Sequence, residues 1–232
     1  MKALITQREK KDAYRIPIDV LESTYVDFFE NLGIELTIVS NFHKDIKEIV
    51  NQKKFDFVIL TGGGSIPSEY YNQTHDDSLQ ANRDKTEKTI IEYALVNKKP
   101  ILGICRGMEY INGLFGGKSS KHIDLHTTRP IRMDHPVCIG KEKIIKVNNY
   151  HNDGIYKENL AEEFKVLALD KENHVVESFY SNDKKILCVQ WHPERAFEDD
   201  NSLKESTKLV INFIKAGGCV DESYYFSSRS GN

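Results

Sequence analysis

Cys105 stands in the run Ile101-Leu-Gly-Ile-Cys-Arg-Gly-Met-Glu109, and far along the chain the sequence reads Gln190-Trp-His-Pro-Glu-Arg195. A thiol, an imidazole and a carboxylate in these settings are the working parts of a cysteine hydrolase. The first run reads as a buried strand, 100–104, ending in Gly-x-Cys-x-Gly, the strand-turn-helix shape of a nucleophile elbow with Cys in place of Ser. Glycines flank the turn because it is crowded. A Cys there gains exposure at the top of a sheet, the positive end of the following helix, and backbone N–H groups aimed at a bound carbonyl. An unperturbed thiol of pKa ~8.5 is only a few per cent ionised at neutral pH, so a base must activate it. His192 is the candidate. Pro193 opposes a helix, and residues two apart on an extended chain share a face, so Glu194 can orient the ring and stabilise its cation. Singly, the Cys reads as a core residue and His-Pro-Glu as a loop; together they select the catalytic reading.

Gly103-Ile-Cys-Arg-Gly-Met-Glu109 together with Trp191-His-Pro-Glu-Arg195 resembles the class I glutamine amidotransferase family, in its stand-alone γ-glutamyl hydrolase branch. Phe55-Asp-Phe-Val-Ile-Leu-Thr-Gly-Gly-Gly64 is similar to the family's strand and oxyanion glycine loop. Asn82-Arg-Asp-Lys-Thr-Glu87 is similar to the start of its helix before the elbow strand, and Val147-Asn-Asn-Tyr-His151 to its substrate-backbone loop. The resemblance covers about residues 1–216. It implies a flavodoxin-like amidotransferase fold and an oxyanion held by the N–H groups of Gly63 and Arg106, with Gly64 beside the substrate. It further implies that Asn149, Tyr150 and His151 hold the amino-acid head, and that neither metal nor organic cofactor is needed. Read on its own, the glycine triplet lacks the Lys-Ser/Thr ending of a P-loop, and His151 also suits a structural histidine.

Glu109 departs from the Gln that ammonia-channelling amidotransferases commonly carry at this place; a carboxylate there favours a protonated α-amine. The stretch from Lys118 to His135 collects Lys118, Lys121, His122, His126, Arg129, Arg132 and His135 against Asp124 and Asp134. Such a run suits a solvated loop. It also suits a phosphate on the leaving group, with Arg129 and Arg132 as its ligands, which leans the reading toward a nucleotide-linked conjugate of the γ-glutamyl-CDP-amidate type used in capsule modification. The alternatives are a glutaminase subunit that hands ammonia to a separate synthase and a catalytically silent binding protein.

These groups need a scaffold. Ala3–Thr6 reads as a first strand; Leu21, Tyr25, Phe28, Phe29 and Leu32 recur at helical spacing before a Gly33 stop. Ile34–Ser40 reads as strand, Asp45–Gln52 as helix, Phe55–Leu60 as buried strand and Asp84–Asn97 as helix, an alternation that implies parallel strands flanked by helices. Beyond the elbow helix, Ile144–Asn148, Phe164–Leu169, His174–Tyr180 and Ile186–Trp191 read as short strands of an antiparallel extension carrying His192 back to Cys105, closed by a helix over Leu203–Ala216. The expected fold class is α/β, a mostly parallel central sheet with an antiparallel extension. One domain over 1–218 is expected, with a loosely ordered tail over 219–232 in which Tyr224, Tyr225 and Phe226 are able to dock.

Composition agrees. The 232 residues are 39% apolar and 29% charged with a net charge of −3, ordinary for a globular chain and no lure for nucleic acid or membrane. Cysteines at 105, 138, 188 and 219 lack zinc-site spacing or disulfide density, and 138 and 188 lie in apolar runs that suit the core. With no apolar run near the ~20 residues of a membrane span and no signal-peptide core at the N-terminus, a cytoplasmic location is expected.

Overall fold

The computed structural model describes residues 1–73, 80–123, 133–140, 143–170, 172, 174–198 and 200–226. Its strands are β1 (Lys2–Ile5), β2 (Arg8–Lys11), β3 (Pro17–Val20), β4 (Glu35–Ile38), β5 (Phe57–Leu60), β6 (Ile101–Ile104), β7 (His135–Ile139), β8 (Lys143–Val147), β9 (Ile155–Tyr156), β10 (Lys165–Asp170), β11 (Val175–Ser181) and β12 (Ile186–Val189). The helices are α1 (Ser23–Asn31), α2 (Ile46–Gln52), α3 (Ala81–Val96), α4 (Arg106–Leu114), α5 (Asp200–Lys215) and α6 (Glu222–Phe226). All but β2 and β3 join one sheet in the order β4-β1-β5-β6-β12-β11-β10-β7-β8, with β9 beside β11.

The first five of that order run parallel. From β11 onward the pairing is antiparallel. The fold is thus the expected mostly parallel sheet with an antiparallel extension. One detail differs: β12 is the seam, parallel to β6 and antiparallel to β11, so His192 returns on a parallel strand. β5, β6 and β12 are buried along their whole length, as strands covered on both faces must be. Tyr25 and Phe29 of α1 pack with Leu209, Val210 and Phe213 of α5 on one face. Val50, Ile90 and Ile111, from α2, α3 and α4, lie in the core on the other.

The β2–β3 hairpin was not foreseen, because its Arg-Glu-Lys-Lys strand has no apolar alternation. The Asp12 carboxylate accepts the Tyr14 and Ile16 N–H groups at 2.9 and 2.8 Å and closes its turn. In the tail, Val220 is buried, Tyr225 and Phe226 pack on the core and Phe226 stacks on Tyr180, while Tyr224 stays half exposed. Residues 220–226 are therefore docked, through two of the three aromatics expected to do so. No described helix is long and apolar enough to cross a membrane. Cys138 and Cys188 are buried and Cys219 is exposed.

Candidate active site

The register of β6 on β12 pairs Ile104 with Val189, and the Cys105 N–H extends the ladder to the Val189 carbonyl at 2.8 Å. Cys105 and the 190–194 segment therefore leave the sheet side by side. Cys105 caps α4 with φ 52° and ψ −109°, a strained backbone of the kind active sites retain. Both elbow glycines have steric reasons. A Cβ on Gly103 would meet Cys188 Sγ at 2.8 Å and Ile111 Cδ1 at 3.0 Å; one on Gly107 would meet the Leu60 carbonyl oxygen at 2.5 Å. Without those clashes α4 lies close on β5 and β6, and its N-terminus points at the sulfur.

His192 is 1% exposed. Its Nδ1 lies 2.6 Å from Glu194 Oε1, leaving Nε2 for Cys105, with which the ring is hydrogen-bonded. Asn148 grips the segment from both sides: its Oδ1 accepts the His192 N–H at 2.9 Å and its Nδ2 donates to the His192 carbonyl at 2.8 Å. Burial pushes the Cys105 thiol up, but the His192 cation, its hydrogen bond and the Gly63 N–H outweigh it, and the thiol lies below its ordinary range. Burial likewise opposes charge on His192, yet the Cys105 thiolate and the Glu194 carboxylate raise the ring to about 9. Both shifts run toward the thiolate–imidazolium pair, each charge favouring the other.

The glycine loop is fastened from below. Arg83, fully buried, donates from Nη1 to the Gly63 carbonyl at 2.8 Å and from Nη2 to the Thr61 carbonyl at 2.5 Å, while its Nε bonds Glu87 at 2.8 Å. Glu87 also accepts from Thr6 Oγ1 at 2.8 Å and from Arg106 Nη1 at 2.6 Å. Arg83 Nη1 also reaches the Gly62 carbonyl at 3.4 Å, on the far side of the peptide whose N–H, that of Gly63 (φ +82°), is directed to the Cys105 sulfur. The Gly62 N–H is already spent on Tyr25 Oη at 2.9 Å. Arg106 commits its guanidinium to Glu87, Asp84 and the Ser65 carbonyl. That leaves its main-chain N–H, an unpaired donor at the first position of α4, to face the site.

Beside Cys105 opens a cleft of about 320 Å³ whose lining includes Gly63, Gly64, Arg106, Glu109, Lys121, Tyr150, His151 and Asp153. Asn149 is fully buried and stands outside this lining; the strip facing the cleft runs from Tyr150 to Asp153, one step later than expected. Burial pushes the Glu109 carboxyl well above the usual range, with the charges of Cys105 and Asp153 adding, and it accepts from Gln190 Nε2 at 3.2 Å. Asp153 also faces the cleft, its carboxylate held by Tyr71 Oη at 2.9 Å and Lys121 Nζ at 3.3 Å. Arg129 and Arg132 lie outside the described residues.

Sequence reasoning missed Tyr25, Asn148 and Asp153. Tyr25 Oη, 3.5 Å from His192 Nδ1, ties the glycine loop to the imidazole; burial first, then Glu194, keep its phenol protonated. In the sequence it was one more apolar residue of a helix stripe. Asp153, two residues past His151, was the one with a usable signal. Among the described residues no group of three or more His, Cys, Asp or Glu could hold a metal ion.

A peptidase C26 family profile matches residues 2–194. Protein NtpR of Enterococcus hirae is 31% identical over 186 residues, spanning 70% of this chain and 75% of that protein. Gamma-glutamyl-CDP-amidate hydrolase of Campylobacter jejuni is 36% identical over 155 residues, 66% of this chain and 70% of that protein. Among solved structures, a glutamine amidotransferase from Thermotoga maritima superposes with a TM-score of 0.55 over 97% of this chain and 87% of that one; at 13% identity this shows a shared fold. With the profile running from the first strand through the His-Pro-Glu segment, the chain belongs to the peptidase C26 family of class I glutamine amidotransferase-like hydrolases.

Proposed function

We propose that this protein is a cysteine hydrolase that cleaves γ-glutamyl amide bonds through a thioester and releases glutamate. The observation that carries the reading is the Cys105–His192–Glu194 alignment, whose hydrogen bonds and shifts favour the thiolate–imidazolium pair. The Cys105 thiolate attacks the γ-carbonyl carbon and the developing oxyanion is held by the Gly63 and Arg106 N–H groups. The C–N bond breaks as His192 gives its proton to the leaving nitrogen. The imidazole, now neutral, takes a proton from water; the hydroxyl attacks the thioester carbon and the thiol leaves as glutamate forms. In the cleft, the Lys121 ammonium and the Asp153 carboxylate offer opposite charges to a zwitterionic amino-acid head, with Glu109 below them.

For the leaving group, a nucleotide-linked γ-glutamyl conjugate is favoured by the relative named gamma-glutamyl-CDP-amidate hydrolase. The test is glutamate release from glutamine, γ-glutamyl methylamide and a γ-glutamyl nucleoside-diphosphate amidate, with hydroxylamine added to trap the thioester as hydroxamate. Release abolished by Cys105→Ala, with hydroxamate formed by the native protein, is the expected outcome. Undiminished release by Cys105→Ala sinks the mechanism. Release that begins only on adding a synthase moves the protein to the ammonia-supplying role.

A further inference from the structure

Two arginines that the mechanism does not use stand beside His192. Arg195 follows it by three residues and lays its guanidinium 4.9 Å from the centre of the Tyr150 ring, which itself meets His192 edge-on at 6.0 Å. Arg8 comes from β2, which is rooted on the start of α3: the Glu9 carboxylate accepts the Asn82 and Arg83 N–H groups at 3.0 and 3.2 Å. That anchorage lays Arg8 on the outer side of the glycine loop, where a Cβ on Gly63 would meet its guanidinium at 2.7 Å. Next along the same loop, a Cβ on Gly62 would meet His192 Cε1 at 2.6 Å. The loop is thus a thin wall, with the nucleophile and imidazole at Gly62 and a guanidinium at Gly63.

Both arginines share one carboxylate. Arg195 reaches Glu22 from Nη2 at 2.8 Å and from Nε at 3.2 Å, and Arg8 Nη2 bonds the same group. Burial works against ionised Glu22, but Arg195, Arg8 and the His192 cation hold it below its ordinary value, so one negative charge faces two positive ones. A second carboxylate, Glu194 Oε1, stands 3.9 Å from Arg195 Nε but is itself bonded to the His192 ring, and the Arg8–Glu22–Arg195 cluster is partly exposed, with side chains 20–30% accessible. Arg8 Nε is buried and has no hydrogen-bond partner among the described residues. Neither arginine lines the cleft that holds Lys121, Asp153 and Glu109.

We propose that Arg8 and Arg195, bridged by Glu22, form the site that recognises the leaving group, and that this group is an amine carrying a phosphoryl anion close to the scissile nitrogen. The proposal rests on the γ-glutamyl hydrolase reading. His192 must protonate the departing nitrogen, so the rest of the leaving group extends past the ring toward Tyr150 and the Arg195 guanidinium packed on it, with Arg8 joined to Arg195 through Glu22. Planar guanidinium forks suit phosphate oxygens. The site is separate from the basic stretch at 118–135, which the sequence had suggested for this task.

The experiment compares three substrates with one glutamyl head: γ-glutamyl methylamide, γ-glutamyl glycine and γ-glutamyl phosphoethanolamine. Native protein, Arg8→Gln, Arg195→Gln and, as a charge control on the same hairpin, Lys11→Gln are assayed for kcat and KM. Native protein is expected to favour the phosphorylated substrate at least tenfold in kcat/KM, with the carboxylate substrate between. Arg8→Gln and Arg195→Gln each reduce that preference about 10- to 100-fold, through KM, and Lys11→Gln leaves it standing. Equal losses on all three substrates, or a preference untouched by both arginine variants, overturns the assignment while leaving the hydrolase reading intact. If no γ-glutamyl compound is hydrolysed, that reading fails, and calorimetric titration with inorganic diphosphate decides this one. Binding weakened at least tenfold in Arg8→Gln but retained in Lys11→Gln upholds the site; no binding, or equal binding, overturns it.

Discussion

Replacing Gly62 by Ala tests how tightly the imidazole is held. The added methyl would lie 2.6 Å from His192 Cε1 and 3.2 Å from both His192 Nε2 and Cys105 Cβ. Ordinary contact begins near 3.4 Å, so something must retreat by nearly 1 Å. Gly62 lies outside the left-handed region, and its backbone accepts Ala without strain. The ring cannot yield freely, since Glu194 holds Nδ1 at 2.6 Å and Asn148 clamps the main chain of residue 192. A misplacement of this size costs on the order of 10²-fold in rate, whereas overpacking costs about 1–3 kcal/mol of stability, which a domain of this size survives. The assay pairs steady-state glutamate release with the pH profile of Cys105 alkylation by iodoacetamide, which reports thiolate without any substrate. The folded variant should lose about 10²-fold in kcat, and its alkylation profile should shift to higher pH. Native kcat with a superimposed alkylation profile would refute the claim that this contact sets the geometry of the ion pair.

Two further outcomes follow from the same network. In His192→Asn the cation that holds the Cys105 thiol down is gone and burial acts unopposed, so alkylation at pH 7 should fall at least tenfold and recover only at alkaline pH; because the imidazolium persists until about 9, hydrolysis by the native protein should decline as pH rises through that value. An alkylation profile that His192→Asn leaves in place would refute the ion pair. Glu87→Gln leaves the buried Arg83 and Arg106 guanidiniums short of their shared carboxylate, a loss of about 3–5 kcal/mol measurable by urea denaturation; a change under ~1 kcal/mol would show that the network is not what fastens the glycine loop.

Local chemistry was readable along the chain. Gly103-x-Cys-x-Gly107 dictates its own strand, turn and helix. The extended segment expected at His192-Pro-Glu194 is instead a turn, closed by the Arg195 N–H on the His192 carbonyl at 3.1 Å, and it is this turn that brings the Glu194 carboxylate back onto the ring. The strand and helix alternation was equally legible, with boundaries within a few residues: α3 starts at Ala81 rather than Asp84, and β5 at Phe57 rather than Phe55. The hairpin of β2 and β3 was invisible, because a polar edge strand docked through the Glu9 side chain carries no hydrophobic period.

The amino-acid sequence by itself determined the identities of the nucleophile, the base and its orienting carboxylate, since each sits in a short motif whose backbone shape follows from Gly, Pro and apolar spacing. Only the tertiary structure decided which glycine of the triplet turns its N–H to the sulfur, because that depends on Arg83 capturing carbonyls from another helix and Tyr25 occupying the Gly62 N–H. It also decided that the Glu109 carboxyl is buried and pushed well above the usual range, and that Asp153 joins it at the cleft in contact with Tyr71 and Lys121, since burial and neighbouring charge act on a group whatever its residue type. Arg8 and Arg195 stand 187 positions apart along the chain. Only the packing of β2 and α1 against the segment after β12 lets them meet on one carboxylate.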